Sequence, residues 1–341
     1  MRIAVVASPV SPLRPAQLGG AQALICDLAR GLTLRGHEVT LHCSEGSDVD
    51  GVRLVTVPAP PDATRALVMP GGPEPPAAPG VAAALERMFR AIASMEVDAV
   101  SQHAFDAPAF ELAARLPVLH TLHLPPIVGA VVGATKRLPP ERLATVSRSC
   151  QAGWREAGVD VGQVLPNGVA DLAVDATPTR SALIAGRISP EKGIEHAIQG
   201  ARAAGVPVRV AGAHYDPAYA VDLRGVEVLG ALERDELRRV MASSAVTVCA
   251  VRWEEPFGMV AAEAQLAGCP VAGYRRGALP EVVEEGVSGI LAEPDDIPGL
   301  GVAIERCLHL DRGSVRASGL RRLGLDAALD RYEAALGRLA E

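Results

Sequence analysis

The sequence predicts an α/β protein made of two domains, each with a parallel sheet. Its 341 residues correspond to about two domains of ordinary size. Short apolar runs that suit buried strands alternate with amphipathic stretches that suit helices. Because 49% of the residues are hydrophobic, the chain can build two substantial cores. Strand–helix–strand repeats of this kind are typical of parallel sheets covered by helices.

The first such repeat begins at the N-terminus. Residues 2–7 are predicted to form a strand, and a loop with three prolines leads to Gly19 and Gly20. An amphipathic helix to Arg35 follows, and residues 38–43 are predicted as the second strand. The first strand is not followed by Gly-x-Gly-x-x-Gly, and the chain lacks a Gly-x-x-x-x-Gly-Lys-Ser/Thr motif, which argues against a dinucleotide oxidoreductase and a P-loop NTPase.

The same alternation continues to the C-terminus. Residues 58–80 hold eight prolines and cannot form regular structure, so we expect a surface loop there. The turn at Pro166-Asn167-Gly168 separates the two halves. Strands are predicted at 97–101, 117–123, 142–147, 182–187, 206–211, 227–232, 245–251, 270–274 and 287–292. Helices are predicted at 80–95, 194–204, 234–242, 257–267, 297–309 and 312–340.

Charge and cysteine content argue against several classes of protein. Residues 1–166 carry 14 Lys and Arg against 15 Asp and Glu, and residues 167–341 carry 19 against 25. Neither half has the basic excess of a nucleic-acid-binding protein. The six cysteines form no Cys-x-x-Cys pair and suit buried free thiols in a reducing cytoplasm. No apolar run reaches the ~18–20 residues of a transmembrane helix, and Pro9 interrupts the apolar start too early for a signal peptide.

The stretch from Trp253 to Glu263 carries the clearest functional signal. It follows a buried-strand pattern and predicts a loop that becomes a helix, with Pro256 at a first helical position. The free N–H groups and the dipole at such a helix start favour an anion. Glu255 and Glu263 lie eight residues apart, about 12 Å if every step is helical. This span suits a nucleoside diphosphate with its sugar, so we expect a diphosphate at the helix start and hydroxyl groups at the two carboxylates.

This stretch resembles the motif of retaining glycosyltransferases of family 4. The resemblance rests on Glu-Pro-Phe-Gly-Met-Val-x-x-Glu-Ala and continues through Gly268, Pro270, Gly277 and Pro280. It implies the GT-B fold, in which two Rossmann-like domains face a central cleft.

The resemblance also implies a division of the chain. Residues 1–168 would form the N-terminal acceptor domain, and a C-terminal helix at about 325–341 would cross back to it. Residues 169–324 would form the nucleotide-sugar donor domain. The proline-rich segment 58–80 is expected on the acceptor side.

Two cations are expected at the diphosphate. Arg187 and Lys192 lie at a strand-to-helix turn, where a planar guanidinium and a mobile ammonium can converge on phosphate oxygens. Their Gly-Arg-x-x-x-x-Lys-Gly context resembles the diphosphate clamp of the family.

A histidine is expected at the donor sugar. His123 ends a Thr-Leu-His segment that resembles the family's sugar-contacting histidine. His120 would point to the opposite face of a continuous strand, so His123 is favoured.

The remaining binding positions follow from the resemblance. Gly20, with Gly19, implies backbone amides near the phosphates and the acceptor. Gly230 and Ala231 correspond to the segment where backbone groups hold the base. The amides of Phe257, Gly258, Met259 and Val260 are expected at the diphosphate, Glu263 at the ribose and Glu255 at the sugar.

The implied reaction transfers a sugar, with retention, from a nucleotide-diphosphate sugar to a hydroxyl of a small molecule or oligosaccharide. Glu255, His123, Arg187 and Lys192 are the expected catalytic residues. No nucleophile is evident, which favours a same-face path with the leaving phosphate as the base. UDP is the preferred carrier, with dTDP and GDP as alternatives, and no cofactor beyond this co-substrate is expected. No metal is expected either, because Asp48-Val49-Asp50 matches the metal motif of other glycosyltransferases over three residues only.

Several alternatives stay open. An epimerase would consume the donor without an acceptor, whereas a phosphorylase would need a cofactor lysine and a longer chain. A non-catalytic sugar-nucleotide-binding protein would not need Glu255, Glu263, Arg187 and Lys192 together. A cell-envelope glycolipid is the alternative acceptor, and a local basic patch that contacts a membrane stays compatible with the charge balance. The composition suits an actinomycete natural-product enzyme, such as one that acts on an oligosaccharide antibiotic of the avilamycin type.

Overall fold

The computed structural model describes residues 1–14, 20–67, 72, 74–171, 174, 176–214 and 219–340. The chain divides into two compact units, Met1–Pro166 with Ala328–Glu341, and Asn167–Ala327. Each unit contains one sheet, and all the strand pairings within both sheets are parallel. The predicted α/β class with two Rossmann-like sheets is therefore confirmed. The assignment of acceptor and donor roles to the two halves stays a prediction.

The first unit has a seven-stranded sheet in the order β3-β2-β1-β4-β5-β6-β7. Its strands are β1 (Arg2–Val6), β2 (Glu38–Ser44), β3 (Arg53–Val57), β4 (Ala99–Gln102), β5 (Val118–Leu122), β6 (Leu143–Thr145) and β7 (Gln163–Val164). The strand order reverses between β1 and β4. Open parallel sheets bind ligands beyond the carboxyl ends of their strands at such a reversal.

The second unit has a six-stranded sheet in the order β10-β9-β8-β11-β12-β13. Its strands are β8 (Ala182–Ala185), β9 (Val208–Ala211), β10 (Glu227–Gly230), β11 (Val246–Cys249), β12 (Val271–Tyr274) and β13 (Gly289–Ala292). Here the order reverses between β8 and β11. The segments that carry Arg187 and Glu255 follow these two strands, so both reach the ligand-binding edge of this sheet.

Helices connect most of the strands, and three further helices follow the last strand, β13. The helices are α1 (Gly20–Leu34), α2 (Pro79–Ala93), α3 (Ala107–Leu112), α4 (Gly129–Thr135), α5 (Arg148–Glu156), α6 (Ile194–Ala203), α7 (Arg234–Ser243), α8 (Met259–Leu266), α9 (Leu279–Val282), α10 (Ile297–Cys307), α11 (Arg312–Leu323) and α12 (Leu325–Ala340). Among the described residues, none of these helices combines the length and the apolar character needed to cross a lipid bilayer.

The helices form because apolar residues recur at helical spacing and because polar residues cap several of them. On α2, Val81, Leu85, Met88 and Ile92 lie three or four residues apart, and all are buried against the sheet of the first unit. Each such side chain contributes about 1.5–3 kcal/mol on full burial. At the start of α5, the Ser147 hydroxyl accepts a hydrogen bond from the Cys150 amide. The six cysteines are all buried and form no disulfide, as predicted.

The structure corrects several predicted elements. The edge strand β3 was not predicted, because only one of its five residues is buried and its sequence has no continuous apolar run. The short helices α3 and α4 were also missed. The C-terminal region 312–340 contains two helices and not one, separated at Gly324. Within the proline-rich segment 58–80, a short 3₁₀ helix forms at Ala63–Ala66, and residues 68–71 and 73 lie outside the described part of the chain.

The start of α8 also differs from the prediction. The helix begins at Met259, and Gly258 precedes it with a φ of 93°, in the left-handed region. Pro256 is therefore not the first helical residue, and this prediction was wrong. Since the segment from Glu255 to Gly258 is not helical, the distance estimated from helical rise does not describe the separation of Glu255 and Glu263.

At Gly193, the backbone before α6 packs directly against the backbone that follows β11. The φ of Gly193 is 62°, and a Cβ at this position would lie 1.9 Å from the carbonyl oxygen of Ala250. The contact therefore requires glycine for two reasons, backbone conformation and space. It keeps Lys192 beside the loop that follows β11.

We predict that Gly193→Ala destabilises the protein more than Gly205→Ala does. Gly205 follows the same helix with a φ of 63°, but no atom lies within 4 Å of the position that a Cβ would take there. Both changes cost about 1–2 kcal/mol for a left-handed alanine. Only Gly193→Ala adds an overpacking cost of about 1–3 kcal/mol. Urea unfolding midpoints measure the difference, and equal midpoints would contradict the close contact with Ala250.

Candidate functional site

Lys192 and Glu255 contact each other at the carboxyl edge of the second sheet. Nζ of Lys192 donates a hydrogen bond to Oε2 of Glu255 at 2.7 Å, and the indole Nε1 of Trp253 donates to the same oxygen at 2.8 Å. The Lys192 ammonium also lies 5.8 Å from the centre of the Trp253 ring. Only 20% of the lysine and 12% of the glutamate side chain is exposed. Within the described residues, Oε1 of Glu255 makes no hydrogen bond and can accept one from a hydroxyl group.

The backbone around Glu255 is fixed by the loop that follows β12. The Ala278 amide donates to the Glu255 carbonyl at 2.9 Å, and the Gly277 amide donates to Oε2 of Glu254 at 3.1 Å. A Cβ on Gly277 would lie 2.5 Å from the Glu255 nitrogen, and the φ of Gly277 is 58°. Glycine is needed here because the two loops touch along their backbones.

Arg187 contacts the buried carboxylate of Glu191. Its Nη2 donates to Oε1 of Glu191 at 3.4 Å, and the Ser189 hydroxyl donates to the same oxygen at 2.6 Å. The Glu191 side chain is 7% exposed, whereas that of Arg187 is 41% exposed. The Glu191 carbonyl also accepts from the Arg252 amide at 2.8 Å. Glu191 therefore links the loop of the predicted cationic pair to the loop of Glu255, which sequence reasoning missed.

The start of α8 presents uncapped backbone. Gly258 supplies no capping side chain, and the first intrahelical bond runs from the Ala262 amide to the Gly258 carbonyl. Phe257 is buried, and Met259 and Val260 are half-buried. A helix start of this kind can bind an anion through its N–H groups and its dipole.

Glu263 is more enclosed than the sequence implied. It is 9% exposed, and Nε of Arg234, on α7, lies 3.4 Å from its Oε1. Arg234 is itself 9% exposed. The expected contact of Glu263 with a ribose stays a prediction. Its arginine partner was missed, because the two residues are 29 positions apart and no motif joins them.

Gly230 is the last residue of β10, and Ala231 follows it. Gly230 has a φ of 72°, and its carbonyl accepts from the Gly212 amide at 2.7 Å. Ala231 is exposed in the following bend. The segment therefore offers backbone groups, which is what base binding by backbone requires, but this role stays a prediction.

Asp295 holds two arginines that flank the loops around Glu255. Its Oδ2 accepts from Nη2 of Arg276 at 2.7 Å, and its Oδ1 lies 3.4 Å from Nε of Arg252. The hydrogen bond from Arg276 lowers the pKa of Asp295. Among the described residues, Asp295 is the only one other than glycine with a positive φ, 64°. Nothing in the sequence pattern pointed to this residue.

In the first unit, His123 lies directly after β5 and is 8% exposed. Its Nε2 is 2.9 Å from Nδ1 of His103, and Nε2 of His103 is 2.9 Å from the hydroxyl oxygen of Ser101. His120 instead stacks on Phe110, with ring centres 5.0 Å apart. The two histidines therefore serve different surroundings, as the strand alternation predicts. Gly20 is the first residue of α1, whereas Gly19 lies outside the described residues.

Burial keeps these histidines neutral. It lowers the pKa of His123 to about 4 and that of His120 to about 3. Burial, with a smaller effect of His123, also lowers the pKa of His103 well below its usual value. At neutral pH, His123 can therefore donate or accept a hydrogen bond but carries no charge.

The described residues contain no group of three or more His, Cys, Asp or Glu side chains that could hold a metal ion. Asp48 and Asp50, the two carboxylates of the Asp-x-Asp match, lie in the loop between β2 and β3.

Two family models match successive parts of the chain. The model for Glycosyltransferase Family 4 matches residues 18–171, and the model for Glycosyl transferases group 1 matches residues 176–318. The glycogen synthase of Mycobacterium tuberculosis is 29% identical over 160 residues, which cover 43% of this chain and 38% of that protein. The match thus spans less than half the length of this relative.

Two solved structures are similar over nearly the whole chain. AviGT4, a glycosyltransferase involved in avilamycin A biosynthesis, is 24% identical with a TM-score of 0.75, covering 99% of this chain and 97% of its own. Anabaena Alr3699/HepE, solved in complex with UDP, is 19% identical with a TM-score of 0.74, covering 99% and 100%. At these identities the likeness shows the fold, which is GT-B.

We predict that the free energy of unfolding falls as the pH drops from about 6.5 towards 4. His42, His103, His120 and His123 are buried, and burial lowers the pKa of each. The unfolded chain therefore binds protons that the folded chain does not, and each histidine contributes up to about 1.4 kcal/mol per pH unit in this window. Above about pH 6.5, the pKa of histidine in the unfolded chain, neither state binds these protons, and the histidines no longer make stability depend on pH.

His42→Leu supplies the control for this prediction. Nδ1 of His42 has no hydrogen-bond partner among the described residues, and Nε2 lies 3.3 Å from Oγ1 of Thr40, so the variant removes a titrating group and one long hydrogen bond. The slope of its unfolding free energy against pH should be smaller by the contribution of one proton, about 1.4 kcal/mol per pH unit. Urea unfolding at several pH values measures both slopes. Parallel curves would show that His42 does not titrate as its burial requires.

Proposed function

Because this chain belongs to the glycosyltransferases of GT-B fold, which use nucleotide sugars, we propose that it is a retaining enzyme of the family 4 type. Its proposed reaction moves a sugar from a UDP-sugar to a hydroxyl group of a small molecule or an oligosaccharide. The observation that carries the proposal is the cluster of Lys192, Glu255 and Trp253. It places a cation beside a carboxylate that has one oxygen without a hydrogen bond among the described residues. That carboxylate, Glu255, lies four residues before the uncapped start of α8.

The diphosphate is proposed to bind where positive charge and free N–H groups coincide. Arg187 and Lys192 supply the charge, and the amides of Phe257 to Val260 supply the backbone donors. As the bond between the anomeric carbon and the diphosphate breaks, negative charge grows on the leaving oxygen. Preorganised donors stabilise this charge without reorganisation, which is commonly the largest catalytic effect.

The sugar and the nucleoside are proposed to bind on either side of the diphosphate. Oε1 of Glu255 accepts from sugar hydroxyls, and Glu263, held by Arg234, accepts from the ribose. Gly230 and Ala231 contact the base through their backbone, and the Gly20 amide approaches the phosphates. His123 makes a hydrogen bond to the sugar.

The proposed chemical step takes place on one face of the sugar. The acceptor oxygen forms its bond to the anomeric carbon on the side from which the diphosphate leaves. The acceptor proton moves to the leaving phosphate oxygen, so no protein nucleophile is required. Retention follows from this geometry, since both oxygens use the same face.

The donor and acceptor classes rest on separate support. UDP is preferred because Alr3699/HepE, which shares the fold, was solved with UDP, and dTDP and GDP are the alternatives. A soluble acceptor of natural-product biosynthesis fits the nearly balanced charge of residues 1–166 and the likeness to AviGT4. A cell-envelope glycolipid is the second candidate. Six cysteines without a disulfide support a cytoplasmic location.

We predict that UDP raises the melting temperature more than dTDP, GDP or ADP does. A ligand at one hundred times its Kd adds about 2.7 kcal/mol to the free energy of unfolding. Lys192→Ala should abolish most of the UDP shift, because it removes a phosphate ligand. Lys136→Ala is the matched control, since Lys136 is the other lysine of the chain and is exposed. A UDP shift that survives in Lys192→Ala would contradict the proposed diphosphate site.

We predict that Glu255→Gln lowers turnover by about two to three orders of magnitude, comparable to the loss of one preorganised catalytic group. The amide keeps the volume but weakens the bond from Lys192 and the acceptance of sugar hydroxyls. Release of UDP from UDP-glucose, with and without acceptor, measures turnover, and circular dichroism checks the fold. Glu236→Gln, an exposed position on α7, is the control. Undiminished turnover in Glu255→Gln would rule out the role of Glu255.

The same assay separates the alternatives. An epimerase would convert UDP-glucose to another sugar nucleotide without releasing UDP. A non-catalytic binding protein would show a UDP shift in melting temperature and no release of UDP under any condition.

A further inference from the structure

A chain of three hydrogen-bonding groups leads into His123 from the interior of the first unit. The Ser101 hydroxyl oxygen lies 2.9 Å from Nε2 of His103, and Nδ1 of His103 lies 2.9 Å from Nε2 of His123. Ser101 is fully buried, and His103 is 4% exposed. Ser101 and His103 are two residues apart and therefore share one face of β4 and its extension.

The two hydrogen bonds that join Ser101, His103 and His123 must run in the same direction. Because burial lowers the pKa of His103 and His123, both rings are neutral, and each carries one proton. In a neutral imidazole one nitrogen donates and the other accepts. The protons therefore run either from Ser101 towards His123 or from His123 towards Ser101.

Ser101 decides between these two directions. Within the described residues, its hydroxyl has Nε2 of His103 as its only hydrogen-bond partner. If His103 donated to Ser101, the hydroxyl proton would be buried without an acceptor, which disfavours that arrangement by roughly ten- to a hundredfold. If Ser101 donates to His103, the proton left without an acceptor among the described residues is the one on Nδ1 of His123, and His123 is 8% exposed whereas Ser101 is fully buried.

We propose that Ser101 and His103 are positioning residues that fix His123 as the neutral tautomer with its proton on Nδ1. Nδ1 of His123 makes no hydrogen bond within the described residues and is thus the donor left for a ligand oxygen. This inference rests on the proposed function in one respect, the sugar or phosphate oxygen that accepts from Nδ1. It also deepens that function, since a histidine held in this way donates a hydrogen bond and does not remove the acceptor proton.

The surroundings of His103 keep its ring in place. Its ring centre lies 5.2 Å from that of His123 and 5.9 Å from that of Tyr332 on α12. The Tyr332 hydroxyl donates to Oγ1 of Thr121 at 3.4 Å, away from the chain of three groups. Tyr332 therefore packs against His103 without competing for its nitrogen atoms.

The test records the histidine tautomers of the full chain labelled with ¹⁵N-histidine. Long-range ¹H–¹⁵N spectra distinguish a protonated ring nitrogen from an unprotonated one, and a His123→Asn sample identifies the His123 signals. We expect Nδ1 of His123 to be protonated and Nε2 to be unprotonated. Ser101→Ala should release this preference and give a mixture of tautomers, whereas Ser101→Thr, which keeps the hydroxyl, should retain it.

Ser44→Ala is the matched control. Ser44 ends β2 in the same sheet, is fully buried, and its hydroxyl has no hydrogen-bond partner among the described residues. This variant should leave the His123 tautomer unchanged. A proton on Nε2 of His123 in the unaltered protein, or a Ser101→Ala spectrum identical to it, would overturn the proposal.

Kinetics provide a second measurement. Ser101→Ala and His103→Leu should lower kcat/KM for release of UDP from UDP-glucose by about tenfold, the worth of one hydrogen bond. Ser101→Thr and Ser44→Ala should leave it near the original value. If no protein releases UDP while the spectra are as expected, the proposed function fails and the tautomer assignment stands. If Ser101→Ala does not fold, the spectra of the unaltered protein and of Ser101→Thr still decide the assignment.

Discussion

The ion pair of Lys192 and Glu255 is the interaction on which the candidate site of the second unit depends. It forms only if the segments after β8 and β11 lie side by side, and Gly193 permits this because its backbone touches the Ala250 carbonyl. Trp253 adds a second donor to the same carboxylate oxygen, so the glutamate is held from two sides. An ammonium and a carboxylate held together in this way shield each other's charge, yet one oxygen of the glutamate can still accept a hydrogen bond from a hydroxyl group.

In the first unit, the candidate residue is oriented by hydrogen bonds between uncharged groups. This residue, His123, is oriented by neutral hydrogen bonds from buried groups and by no ion pair. Burial removes the proton that would charge the ring, and the serine at the far end determines which nitrogen keeps the remaining one. The candidate residue of the second unit is thus held by charged partners, whereas that of the first unit is held by uncharged ones.

The sequence predicted the fold class because apolar runs and helical periodicity reflect burial directly. It singled out Arg187, Lys192 and Glu255 as candidate residues because their motifs are local, and their roles stay predictions. It did not predict β3, where only one of five residues is buried, or the true start of α8, which follows the left-handed Gly258. It also missed Arg234, Glu191 and Asp295. Their importance comes from partners that are brought together by folding, and neither spacing nor composition records such contacts.

Asp295 has a left-handed backbone conformation although it is not a glycine. A left-handed conformation costs a residue with a Cβ about 1–2 kcal/mol, whereas glycine adopts it freely. Here the carboxylate gains two arginine partners in return, one from each loop beside Glu255. Glycine at this position would relieve the backbone but would remove the carboxylate that both arginines contact, so the residue type at 295 is determined by its side-chain partners and not by the turn.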